Sequence, residues 1–188
     1  MLLAALLLPA ACGPKAVKVG SRPFPAGRPV FLDASGKPMA ALPEAPEPVR
    51  LVLLDFPWCP ACTDTWKALR TASAQVPPGS ARIYRVLFEG ETALTATSRR
   101  EVPPLRPPPG KDAGGAGETG GFPVTTLTAL PEPFGKEFRV SQAPVLLLLA
   151  PDGAVARRWF GYSPGMAAEV DGEIRSRSRA PSPLPPGT

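Results

Sequence analysis

The chain has 188 residues, a net charge of +5, 28 prolines, 18 glycines and no histidine. The missing histidine excludes His-ligated zinc or copper, Cys–His catalytic pairs and Ser-His-Asp triads. Thiols, carboxylates, lysines and backbone groups are left to carry any chemistry. This length predicts one domain with one sizeable core. The arginines are scattered without interleaved aromatics on one face, so no nucleic-acid partner is expected.

Met1 to Ala11 is an apolar run ending in small residues, followed by Cys12. It has the form of an export signal and is too short to cross a bilayer, which takes about 20 apolar residues. Ala10-Ala11-Cys12 resembles the lipobox of bacterial lipoproteins. That resemblance implies that Cys12 is lipidated and becomes the mature N-terminus. Pro9 stands where the lipobox usually has leucine, and no basic residue precedes the apolar run. An ordinary cleaved signal and an uncleaved apolar start are the alternatives. Residues 12–29, rich in Pro, Gly and basic side chains, read as a tether between membrane and domain.

The domain is expected over residues 30–175. Val30 to Asp33 is a short strand, Ala34 to Lys37 a turn, and Pro38 to Ala40 an edge strand. Val49 to Phe56 is a continuous apolar run, as in a strand buried on both faces. Pro57-Trp58-Cys59-Pro60-Ala61-Cys62 follows at once. Thr63 to Val76 has helical periodicity, with Cys62, Trp66 and Leu69 on one face, and Pro77-Pro78-Gly79 ends it. Ala81 to Phe88 is a second core strand, expected parallel to the first through the helix. Residues 89–121 hold a short helical stretch near Ala93 to Glu101 and dense Pro and Gly, and are expected to form a flexible insertion. A polyproline ligand for a partner is the other reading of that stretch. Phe122 to Leu127 is expected to pair weakly or to lead in. Pro133 to Val140 reads as a short helix and Val145 to Ala150 as an apolar strand. Pro151-Asp152-Gly153 is a hairpin turn to a partner strand ending near Tyr162. Ser163-Pro164 is expected to cap and open a helix to about Arg175, and residues 176–188 to form a disordered tail.

Cys59 and Cys62 sit two residues apart at a strand-to-helix junction. Unpaired N–H groups and the macrodipole at a helix start stabilise negative charge, so the first thiol there ionises more easily. Such a pair can close a disulfide and open it again. A CxxC pair also serves zinc sites, but those need two further ligands, and the chain has neither histidine nor a cysteine beyond Cys12. No cofactor is expected.

Leu51 to Cys62, together with Phe138 to Gly153, is similar to the thioredoxin-like superfamily. Within it the chain most resembles the TlpA/ResA group of exported, often membrane-tethered thiol–disulfide oxidoreductases, over roughly residues 30–175. The resemblance implies an α/β fold with a central mixed sheet flanked by helices and interrupted by the Pro/Gly-rich insertion. It implies that Cys59 is the nucleophile and Cys62 the resolving thiol, joined as a redox disulfide. It also implies that Pro144 is a cis-proline beside the pair, following Ala143. Trp58 would cover the site, and Pro60 and Ala61 would tune the potential. Many thioredoxins carry a buried carboxylate six residues before the first cysteine. Here that position is Leu53, and Asp55, on the same strand face, is the candidate substitute. The implied partners are a cysteine-containing exported protein, a membrane or extracytoplasmic redox partner, and the membrane itself through lipid on Cys12. The implied location is the periplasmic or cell-surface side. Two competing functions share the fold. A peroxiredoxin-like peroxidase would want a threonine before its cysteine, which is absent. A non-catalytic binding lipoprotein would leave the CxxC without a task.

Overall fold

The computed structural model of the chain describes residues 17–24, 27–56, 59–88, 121–130 and 143–179. Among the described residues a single sheet of seven strands runs in the order β2-β1-β5-β4-β3-β6-β7. β1 is Phe31–Leu32 and β2 Pro38–Met39, joined as a small antiparallel edge hairpin. β3 spans Val49–Asp55 and lies near the middle of the sheet. Helix α1, Pro60–Ser73, returns the chain to β4, Ala81–Leu87, which pairs parallel to β3 with Leu53 opposite Arg85. β5, Val124–Ala129, joins β4 in parallel and β1 in antiparallel fashion. β6, Val145–Leu149, pairs antiparallel to β3, and β7, Val155–Phe160, antiparallel to β6. Helix α2, Met166–Ser178, closes the described chain.

β3 can be uniformly apolar because both of its faces are covered. Its alternating side chains feed two cores. Val49, Leu51 and Leu53 pack with Leu69 and Ala72 of α1 and with Met166, Val170 and Ile174 of α2. Val52, Leu54 and Phe56 pack on the other face with Tyr84, Val86, Leu127, Leu147 and both cysteines of the motif. Each fully buried Leu or Val in these layers contributes on the order of 2 kcal/mol from burial alone.

Four features depart from the sequence-based expectations. Phe122 to Leu127, expected to pair weakly or to lead in, instead runs into a full strand, β5, Val124–Ala129, which sits between β4 and β1. Its Thr-rich sequence hides this, since only Leu127 and Ala129 of the strand are fully buried. Helix α2 starts at Met166 with Gly165 as its cap and no side-chain cap bond, because Ser163 is spent on a turn in which its carbonyl accepts from the Met166 N–H at 3.0 Å. The same helix runs to Ser178, three residues into the stretch expected to be a tail. Finally, Val17 and Phe24, in the expected tether, pack against the core that contains the cysteines. The stretch expected to be a signal, Cys12, Trp58, nearly all of the expected insertion, the stretch expected to be a short helix at 133–140 and the last nine residues lie outside the described residues. Among the described residues no helix is long and apolar enough to cross a membrane.

Candidate active site

The site is built where β3 ends. The Phe56 carbonyl accepts from the Cys59 N–H at 3.0 Å, and the Asp55 carbonyl accepts from the Phe88 N–H at 3.0 Å. Phe56 and Phe88 stack with ring centroids 4.4 Å apart. These contacts bring the chain off the strand and straight into α1. Cys59 is the N-cap of that helix, in extended backbone geometry, and Pro60 occupies the first helical position, where its missing N–H costs nothing.

Cys59 and Cys62 form a disulfide, with Cα atoms 5.3 Å apart. The Cys62 N–H donates to Cys59 Sγ at 3.1 Å. An N-cap is normally a side-chain oxygen that satisfies one of the orphan N–H groups of the first turn. Here sulfur holds that place. No acidic residue stands in the first turn to oppose negative charge there. The two sulfur-bearing residues differ in access, Cys59 being 6% exposed and Cys62 1%. An incoming group therefore meets Cys59 first.

β6 brings up the opposite wall. Val145 is paired with Leu54 of β3, so Ala143-Pro144 lies level with the end of β3 where the motif begins. The Ala143–Pro144 peptide is cis. Pro144 is buried, Ala143 is partly buried against the core that holds both cysteines, and the Pro144 carbonyl accepts from the Gly161 N–H at 2.9 Å. Ala61 packs against the same core, and Pro60 is exposed.

Asp55, the last residue of β3, is buried on the helix-facing side of the sheet, as Leu53 is. Arg85 Nε donates to Asp55 Oδ2 at 2.6 Å, and the same guanidinium lies 5.2 Å from the centroid of the Trp66 ring. The Arg85 partnership and the cation–π contact were not anticipated from sequence. The parallel register that sets Arg85 beside Leu53, diagonal to Asp55, is the signal that would have found them. Among the described residues no group of three or more His, Cys, Asp or Glu is placed to hold a metal ion.

Solved structures share the overall fold. A thioredoxin-like protein from Porphyromonas gingivalis matches 84% of this chain and 93% of its own, at 20% identity and a TM-score of 0.54. A protein assigned as the thiol:disulfide interchange protein DsbE, from Chlorobium tepidum, matches 87% of this chain and 99% of its own, at 14% identity and a TM-score of 0.53. A thioredoxin-like protein from Aeropyrum pernix matches 78% of this chain and 88% of its own, at 16% identity and a TM-score of 0.53. The chain has a thioredoxin-like fold. At these identities the likeness speaks for the fold alone. No family model and no curated protein matches the sequence. In this thioredoxin-like domain the disulfide stands at the carboxyl end of β3, where open α/β sheets commonly place their ligand sites.

Proposed function

We propose that the chain is an extracytoplasmic thiol–disulfide oxidoreductase, held at the membrane by lipid on Cys12, that exchanges disulfides with cysteines of exported proteins. One observation carries the reading: the more accessible cysteine of a disulfide caps a helix and accepts a backbone N–H on its sulfur. Once the bond is reduced, that N–H and the helix start stabilise negative charge on Cys59 Sγ. The thiolate then attacks one sulfur of a partner disulfide. A Cys59–partner disulfide forms and the partner's other sulfur leaves as thiolate. Cys62, deprotonated, attacks Cys59 Sγ, closes the Cys59–Cys62 bond and releases the partner as a dithiol. Two electrons pass from the pair to the partner, and the reverse sequence oxidises a partner dithiol.

Asp55 is assigned as the acceptor of the Cys62 proton. It is the one carboxylate residue buried as a whole among the described residues, and it ends the strand that leads into the motif. Pro144 and Ala143 are assigned to present backbone to the partner chain, and Trp58 to cover the pair. The export signal and Ala10-Ala11-Cys12 support the location. The reading is tested by incubating Cys62→Ser protein with exported proteins. Mixed disulfides through Cys59 are expected, and none with Cys59→Ser. Equal yields from the two variants would end the proposal.

A further inference from the structure

Among the described residues three large apolar side chains are exposed: Val19 at 60%, Phe160 at 40% and Tyr162 at 43%. All three lie on one border of the molecule. Phe160 ends β7, the outermost strand on that side, and Tyr162 follows it. Val19 lies in a turn fixed to the same strand. The Gly20 N–H donates to the Val155 carbonyl at 2.7 Å, the Val155 N–H donates to the Ser21 carbonyl at 2.8 Å, and the Ser21 N–H closes the turn on Lys18 at 3.0 Å. Gly20 takes φ +84°, which a residue with a side chain rarely adopts. The turn thus holds Val19 outward.

Cations surround these apolar groups. Lys18 and Arg22 are exposed in the strap. The Arg158 guanidinium donates to the Val17 carbonyl and stacks 4.9 Å from the Phe160 ring, linking strap to strand end. The facing carboxylates are few. Asp152 pairs with Arg22 at 3.6 Å, and Glu169 and Glu173 are engaged by Arg157. Lys18 and Arg158 have no carboxylate partner among the described residues. The first acidic residue of the whole chain is Asp33, after Lys15, Lys18, Arg22 and Arg28.

We propose that the β7 edge with its strap is a surface that lies against an anionic bilayer. Protruding apolar and aromatic groups between cations suit the interface, where rings sit at headgroup depth and each nearby Lys or Arg adds electrostatic attraction. The proposal rests on the membrane-tethered reading for the proximity of a bilayer: Cys12 lies five residues before Val17, a span of at most about 18 Å. Docking by this edge brings Tyr162 and the neighbouring Pro144 turn close to the headgroups. Cysteines at the membrane surface then become the pair's nearest partners.

The test uses the processed chain, residues 12–188, with Cys12→Ser so that no lipid is attached. It is sedimented with vesicles of phosphatidylglycerol and phosphatidylcholine, and with vesicles of phosphatidylcholine alone. Binding to the anionic vesicles is expected, weakened at least about tenfold by K18E/R22E or by 0.5 M salt, and weakened also by Y162S. K37E/K67E, in the turn at the opposite border of the sheet and on exposed α1 surface, changes net charge equally and should leave binding intact. Absence of binding to anionic vesicles, or equal losses from K18E/R22E and K37E/K67E, would overturn the proposal. So would a dimer in the free protein that Y162S dissociates, since the edge would then be an interface between copies. The mass of Cys12 in protein isolated from membranes tests the anchor separately. An unmodified Cys12 would end that reading while leaving the vesicle result to stand.

Discussion

Two arginines three residues apart on β4 each hold a carboxylate from the β3 side, and they do different things. Arg82 clamps Glu47 with two bonds, Nε to Oε2 at 2.8 Å and Nη2 to Oε1 at 2.9 Å, and reaches Thr125 Oγ1 at 3.1 Å. This pair ties the loop before β3 to β4 and β5, far from the disulfide. Arg85 makes a 2.6 Å bond from Nε to Asp55, at the end of β3 that enters the motif, and rests against Trp66 of α1. A bidentate guanidinium–carboxylate pair is rigid and directional. It suits a strut. The buried Asp55 carboxylate is the proton acceptor of the proposed exchange reaction. Under that proposal the same pairing chemistry serves stability at one end of the strand and proton transfer at the other.

The two ion pairs should respond differently to substitution. The largest effect is expected outside both pairs: Cys59→Ser abolishes disulfide exchange, read as loss of turnover with a model disulfide. Next, Asp55→Asn slows release of the Cys59 mixed disulfide roughly 100-fold, the size of a general acid–base contribution. Stopped-flow kinetics of the release step reads this, and an unchanged rate would assign Asp55 to structure alone. Glu47→Gln should do the opposite. It lowers stability by about 2 kcal/mol, as for loss of charged hydrogen bonds, with the exchange rate unchanged, read by urea denaturation alongside the kinetics. The pH dependence sharpens this step. The bonds from Arg82 hold the Glu47 carboxyl below its ordinary range. A depressed folded-state pKa adds stability that is present above the ordinary carboxylate range and is lost as pH falls through the folded value. Denaturation midpoints should therefore fall on acidification, less steeply in Glu47→Gln. The smallest step is Tyr84→Phe. The Tyr84 hydroxyl donates to the Pro43 carbonyl at 2.5 Å on the Glu47 side of the sheet. Its loss should cost about 1 kcal/mol, with turnover intact.

The parts of the fold legible in the sequence were those with a strong local signature. The unbroken apolar runs at Val49 and Val145 marked buried strands, and the periodicity from Thr63 to Val76 marked α1, although the helix begins at Pro60 and ends at Ser73, three residues earlier at each end. β5 was not legible, because a Thr-rich strand between two others owes its place to long-range pairing rather than to its own pattern. The cap of α2 was misplaced because Ser163-Pro164 is as good a turn as a helix start. At the site, the cysteine pair could be read directly from spacing. The Arg85–Asp55–Trp66 cluster could not, since it joins three elements through a register that no local pattern encodes. The strap shows the same limit. Its Pro, Gly and cations look like a linker, and only the backbone bonds to Val155 reveal that it is fixed to the sheet.

The central claim is that Cys59 and Cys62 are a working redox couple, and a titration of the pair in dithiothreitol and glutathione buffers tests it most directly. The account predicts a reversible two-electron transition between dithiol and disulfide, above the potential of about −300 mV below which structural disulfides typically lie, and absent from Cys59→Ser and Cys62→Ser. A disulfide that stays closed under all of these buffers, or thiols that never pair, would contradict it.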